Sequence, residues 1–112
     1  MRQRRAALRL HVTHNRLEMP DDEARALVRR LCHYLRDNPL ASDRPEGIAH
    51  WWLHVEWLTS ERVVGEAIAH LVSSGLVEAV HGSDGRIRYR RARGEDVEQR
   101  LAAVAAEAEG SP

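Results

Sequence analysis

Five arginines fall within eight positions, Arg86, Arg88, Arg90, Arg91 and Arg93, with no acidic residue among them. A guanidinium presents a planar fork of donors that matches phosphate oxygens. Each phosphate it neutralises releases counterions and strengthens attachment to nucleic acid. Arginine alternates with Ile87 and Tyr89 over residues 86–90, so in a strand Arg86, Arg88 and Arg90 face water while Ile87 and Tyr89 face the core. The chemistry on offer is anion binding. The plainer reading is a set of solvated charges on an outer face.

A second group is Trp51-Trp52, followed by Trp57. Helix neighbours point about 100° apart, so with Ile48 and Val55 in the core one of the pair is buried and the other sits at the edge. An edge tryptophan is a frequent anchor of protein interfaces; alternatively, both indoles fill the core of a chain that has no Phe. His50 and His54 stand at i, i+4, a spacing able to hold a transition metal. They lack a third ligand at an obvious position, Cys32-His33 is remote, and HWWLH is not the HExxH motif. We therefore expect neither metal nor cofactor. Glycine-rich phosphate loop, nucleophile elbow and Cys-His spacing are all missing from the sequence, and Ser73-Ser74 sits where a helix end is capped. The chain reads as non-enzymatic.

The elements that must position these residues follow from periodicity. Asp21, Asp22 and Glu23 open a helix after Pro20, with Ala24, Leu27, Val28, Leu31 and Leu35 as its apolar stripe and an end near Asp37, before Asn38-Pro39. Asp43 and Glu46 form a capping-box variant, with Pro45 in the first turn, for a second helix reaching about His54. Residues 54–59 form a partly apolar link. Thr59 or Ser60 then caps a third helix whose stripe is Val64, Ala67, Ile68, Leu71 and Val72. Gly75 stops it, a strand runs from Leu76 to His81, residues 82–85 (GSDG) turn, and the arginine strand returns. After Arg93-Gly94, Val97, Leu101, Val104 and Ala108 give a fourth, alanine-rich helix. Its narrow stripe suits packing on the first helix or against its copy in a homodimer.

At 112 residues the chain suffices for one modest core. One cysteine excludes an internal disulfide, and no apolar run spans a bilayer or serves as a signal peptide, so a cytoplasmic protein without a membrane partner is expected. All 17 basic residues are arginine, a bias that lends the choice of Arg little functional weight. Net charge is zero but unevenly distributed: residues 1–20 hold five Arg against Glu18, residues 21–85 six Arg against eleven acids, residues 86–93 five Arg against none, and residues 94–112 Arg100 against five acids. Two basic segments thus flank an acidic body.

The order of three helices, two strands and a helix, with the local pattern AIAHLVSSGLVEAVHGSDGRIRYR at residues 67–90, resembles the winged helix-turn-helix domains of bacterial transcriptional regulators. The likeness covers residues 21–93. It implies an α+β, mainly helical fold: a three-helix core with a two-stranded β-wing, plus an extra C-terminal helix. The division is a basic N-terminal arm (1–19), the winged domain (20–93) and a C-terminal helix (94–109) that could dimerise. In such families the third helix enters the major groove of DNA and the wing touches phosphates or the minor groove. For this chain the resemblance points to a small DNA-binding regulator using Arg62, Arg86, Arg88, Arg90, Arg91 and Arg93. The competing function is an adaptor that binds a partner protein through the acidic third helix, with Glu61 and Glu66, or through Trp51 and Trp52. The third helix turns Glu61, Arg62, Gly65, Glu66, Ala69 and Ser73 outward, and carboxylates disfavour approach to phosphates although Glu can accept from cytosine.

Overall fold

The computed structural model describes residues 20–110. The fold is α+β and mainly helical, with helix α1 at Asp22–Asp37, strand β1 at Ser42–Asp43, and helix α2 at Pro45–Gly47 running directly into a π-helical segment, Ile48–Leu53. Helix α3 at Trp57–Ser73, strands β2 at Val77–His81 and β3 at Ile87–Arg91, and helix α4 at Val97–Gly110 complete it. The basic N-terminal arm lies outside the described residues.

Helix α1 starts where the three acids predict. The Asp21 carboxylate accepts from the Ala24 N–H at 3.1 Å, satisfying one of the free donors of the first turn. All five residues of the expected stripe are buried, and Cys32 joins them. Helix α3 ends at Ser73, and Gly75 adopts the left-handed conformation (φ 76°) that turns the chain into β2. Gly85, at φ 82°, closes the hairpin turn, where the Gly82 N–H donates to the Arg86 carbonyl at 2.8 Å.

Five expectations need correction. The sheet has three antiparallel strands among the described residues, in the order β1-β3-β2, because Ser42 and Asp43 pair with Arg90 and Tyr89. Asp43 is therefore a strand residue whose carboxylate accepts from the adjacent Arg44 N–H at 2.7 Å, and no capping box with Glu46 forms. The second helix does reach Leu53, with His54 beyond it in the left-handed region (φ 57°), but most of it is wound as a π-helix. Finally, α3 begins at Trp57 rather than at Thr59 or Ser60: the link shrinks to residues 54–56, and Glu56 flanks the helix without a side-chain cap. Partial burial of Val55 and Trp57 against the core extends the helix past the polar residues that would otherwise cap it. Val72, expected in the core, is about one-third exposed at the edge of α3.

The core joins all the helices. Leu31 and Leu35 from α1, Ile48 and Leu53 from the π-helical segment, Leu71 from α3, Leu76 and Leu101 are fully buried. With no Phe available, Trp52 supplies the bulk: only 8% exposed, it stacks on Tyr34 at 4.9 Å between centroids with 12° between planes. Of the two fates open to the fourth helix, α4 packs along α1, burying Val97, Leu101, Ala105 and Ala108. Glu98 ties it down by accepting from Arg36 at 2.7 Å and lying 3.7 Å from Arg91, while Glu109 sits within 3.6 Å of Arg29 and 3.5 Å of His33. Arg100 of α4 donates to the Ser74 carbonyl at the end of α3. None of the helices described is long and apolar enough to cross a membrane.

This packing predicts that Leu101→Ala lowers the unfolding free energy by about 2–5 kcal/mol in urea denaturation. Glu98→Gln, which disturbs half-exposed ion pairs, costs less than about 1 kcal/mol; a Leu101→Ala cost below that of Glu98→Gln would show that α4 does not rest on α1. A second expectation concerns His70, on α3, whose pKa is pushed below its usual 6.5 by burial, against a smaller upward pull from Glu107 of α4. A histidine whose pKa falls on folding adds stability above its unfolded value and loses it as pH drops. Melting temperature should therefore fall as pH goes from 7 to about 5, and His70→Gln should flatten that slope.

Candidate interaction face

The hairpin's register decides where its arginines point. Val77, Ala79 and His81 lie opposite Arg91, Tyr89 and Ile87, so these six share the sheet face turned toward α3, while Glu78 and Val80 share the other face with Arg90 and Arg88. Tyr89 packs against the core, as its alternation with arginine predicts. Arg88 and Arg90 thus occupy the face remote from α3, while Arg91 shares the face of Tyr89 and Ile87.

Most of the six candidate cations are already engaged within the chain. Arg88 donates to the Ser42 carbonyl at 2.8 Å and to its hydroxyl at 3.3 Å, and Arg90 donates to Glu78 at 3.1 Å. Arg91, the most buried of them, donates to the Leu35 carbonyl at 3.2 Å and lies 3.7 Å from Glu98. Arg62 on α3 donates to Glu66 one turn on at 2.8 Å and lies 3.7 Å from Glu23 of α1. Of the six, only Arg86, at the hairpin turn, and Arg93, beyond β3, make no side-chain hydrogen bond or ion pair among the described residues. The candidate set therefore does not converge on one surface with the exposed side of α3.

That side of α3 is instead one wall of an open groove of about 610 Å³. Glu61, Gly65, Ala69 and Ser73 recur every fourth residue along it, which places them in one row. Trp57 and Pro45 close one end, Ile68 and Val72 contribute apolar surface beside the row, and Ala79 with Tyr89 form the opposite wall from the hairpin. A Cβ at Gly65 would meet nothing within 4 Å, so the middle of the row faces open space. Glu61 is the groove's carboxylate, and among the described residues no cation pairs with it.

The two adjacent tryptophans separate as the 100° rule requires. Trp52 is the core residue described above; Trp51 is 63% exposed, its indole touched edge-on by His50 at 4.3 Å. Leu40 and Leu58 are the other strongly exposed large apolar side chains. Trp57, Gly65, Ala69, Val72 and Tyr89 had no place among the sequence-derived site residues. The four-residue recurrence of Gly65, Ala69 and Ser73 was the signal that could have revealed them.

Chemistry beyond binding finds few groups here. His50 is occupied with Trp51, His54 follows in the left-handed turn, and among the described residues no three or more His, Cys, Asp or Glu side chains gather as metal ligands would. Cys32 is buried, and its thiol is pushed up to about 12 by burial, against a smaller lowering by Arg36. The thiol is thus held protonated, which removes the nucleophilic form.

In comparisons with known proteins, no family matches the chain, and neither a curated protein nor a solved structure matches it.

Cys32 should accordingly ignore an aromatic disulfide reagent at pH 8 in the native protein and react fully in denaturing urea. Rapid native labelling would mean that α1 and α4 part readily.

Proposed function

We propose that the chain is a non-enzymatic winged helix-turn-helix module that acts in the cytoplasm by docking a partner protein along α3 and the inner face of the hairpin. The winged reading is supported by the order α1, β1, α2 with its π-helical continuation, α3, β2, β3, and by β3 lying between β1 and β2. In that reading α3 is the recognition helix and the β2–β3 hairpin the wing. The C-terminal α4 then serves as a brace for α1, and a homodimer would have to use a surface other than its apolar stripe.

The observation that carries the docking function is the composition of the groove. A helix that reads DNA needs cations and polar donors aimed at phosphates and base edges. The corresponding face here offers glycine, alanine, serine, valine and a carboxylate that no cation among the described residues pairs with, while Arg62 is held between two acids. Bringing Glu61 and Glu66 to a duplex adds repulsion at each phosphate step. Covering apolar surface with another apolar surface is favourable by roughly 25 cal/mol per Å².

A second reading has its own observation. Arg86 and Arg93 are exposed and lack protein partners among the described residues, and Arg88 is exposed on the same outer sheet face as Arg90. Duplex DNA laid against that face would be held by phosphate contacts alone.

The two readings part in one pair of measurements. Under the docking reading, fluorescence anisotropy with duplex DNA shows no tight binding at about 50 mM salt. Meanwhile a photo-crosslinking residue at Ala69, but not one at the exposed Asp37 of α1, joins the chain to one recurrent protein in cells. Duplex binding that weakens by orders of magnitude between about 50 and 200 mM salt, and that disappears when Arg86, Arg88 and Arg90 are changed to Ala, would replace docking with DNA contact.

A further inference from the structure

We infer that the groove's occupant is an amphipathic helix of the partner protein, carrying a basic side chain set opposite Glu61. The inference deepens the docking function and rests on it.

Shape comes first. The lining residues of α3 run from Trp57 to Ser73, about 24 Å at 1.5 Å per residue, the length of a helix of some 16 residues. Recurrence at four-residue intervals, with Ile68 and Val72 one row over, produces the ridge-and-groove relief that another helix interlocks with. Gly65 has no side chain and Ala69 only a methyl group, so a helix backbone can come close at the centre. Tyr89 on the hairpin wall and Trp57 at one end of the groove offer apolar contacts.

Charge specifies the occupant further. Any helix seated over the row covers Glu61, and a carboxylate taken out of water without a counter-charge is strongly disfavoured. Among the described residues no arginine lines the groove, and the nearest in sequence, Arg62, is turned to Glu66 and Glu23. The exposed Glu56, at the start of α3, adds a second negative charge at the same end of the helix. The missing cation must therefore come from the occupant. A helix that is apolar along one face but acidic opposite Glu61 is excluded by the same repulsion.

The probes are two capped, fluorescein-labelled helical peptides of about 16 residues with one Leu/Ala face, one bearing Arg and the other Glu at the same position beside that face. Each is titrated into the full chain. The Arg peptide is expected to bind more than roughly tenfold tighter than the Glu peptide, and Glu61→Arg should invert the preference. Gly65→Arg should abolish binding of both while the circular dichroism melt stays native-like, since Arg forms helix better than Gly and points into open space. Equal affinities, no binding of either peptide, or binding indifferent to Gly65→Arg would overturn the inference. Sedimentation equilibrium showing a dimer that Gly65→Arg dissociates would also overturn it, by placing a second copy in the groove. If crosslinking from Ala69 still captures one protein while the peptides show no charge preference, the helix inference fails and docking stands. If both fail, both readings fall together.

Discussion

Helix α1 is covered from two directions, by α3 with the π-helical segment on one side and by α4 on the other, and that double burial organises the molecule. Ala24, Leu27, Val28, Leu31, Cys32 and Leu35 form a stripe broad enough to serve both neighbours. Once α1 holds the centre, the base of the hairpin is drawn in through Leu76, Val77 and Ala92, and the Leu76 carbonyl accepts from the Ala92 N–H at 2.9 Å. Helix α3 then has one side committed to α1 and its end committed to the hairpin. What is left over, the row from Glu61 to Ser73, is the side with nothing behind it. The groove is thus a consequence of which faces α1 consumes.

The charges follow the same order of precedence. Glu98 bridges Arg36 and Arg91, linking α4, α1 and β3 at one point, and Arg90 with Glu78 closes a cross-strand pair on the outer face of the sheet. Exposed pairs of this kind contribute less than about 1 kcal/mol each, so they do not hold the fold against the loss of its core. Their effect is on direction: a guanidinium already accepting company from a carboxylate in the same chain must give it up before it meets a phosphate. Arg86 and Arg93, which flank β3, face no such competition among the described residues, and with the exposed Arg88 of the outer sheet face they are the cations on which a DNA contact would rest.

How much of this could be read from the residues differs element by element. The acids at Asp21–Glu23, the left-handed glycines 75 and 85, and the alternation of Ile87 and Tyr89 with arginine are local signals with local causes, and α1, the end of α3 and the hairpin stand where they point. Strand β1 escaped because two residues, Ser42 and Asp43, carry no period; only the partner β3 makes them a strand. The start of α3 was misplaced because Thr59 and Ser60 are good caps in isolation, whereas partial burial of Trp57 is a tertiary effect. The π-helical turns at Ile48–Leu53 leave no pattern distinct from an α-helix over so short a run. For the candidate site, the split of Trp51 from Trp52 was legible as geometry. The engagement of Arg62, Arg88, Arg90 and Arg91 was not, since their partners lie on other elements or across the sheet.

A fold of this kind does not determine its ligand; the residues on the outer side of α3 do. Suppose the ancestral task of such a surface is to meet phosphates. Then glycine and alanine in its centre, and at one end a carboxylate with no cation beside it among the described residues, would be a steady penalty, because each base step presents fresh negative charge. Suppose instead that it meets protein. The same small residues let two backbones approach, Trp57 and Tyr89 supply the large apolar contacts that dominate interfaces, and Glu61 becomes a discriminator, rejecting any apolar segment that brings no cation. Exposed Trp51 and Leu58, outside the groove but carried by the π-helical segment and the first turn of α3, extend apolar surface beyond what a nucleic-acid contact would use. Residue by residue, this composition supports the proposed protein contact more than it supports phosphate reading.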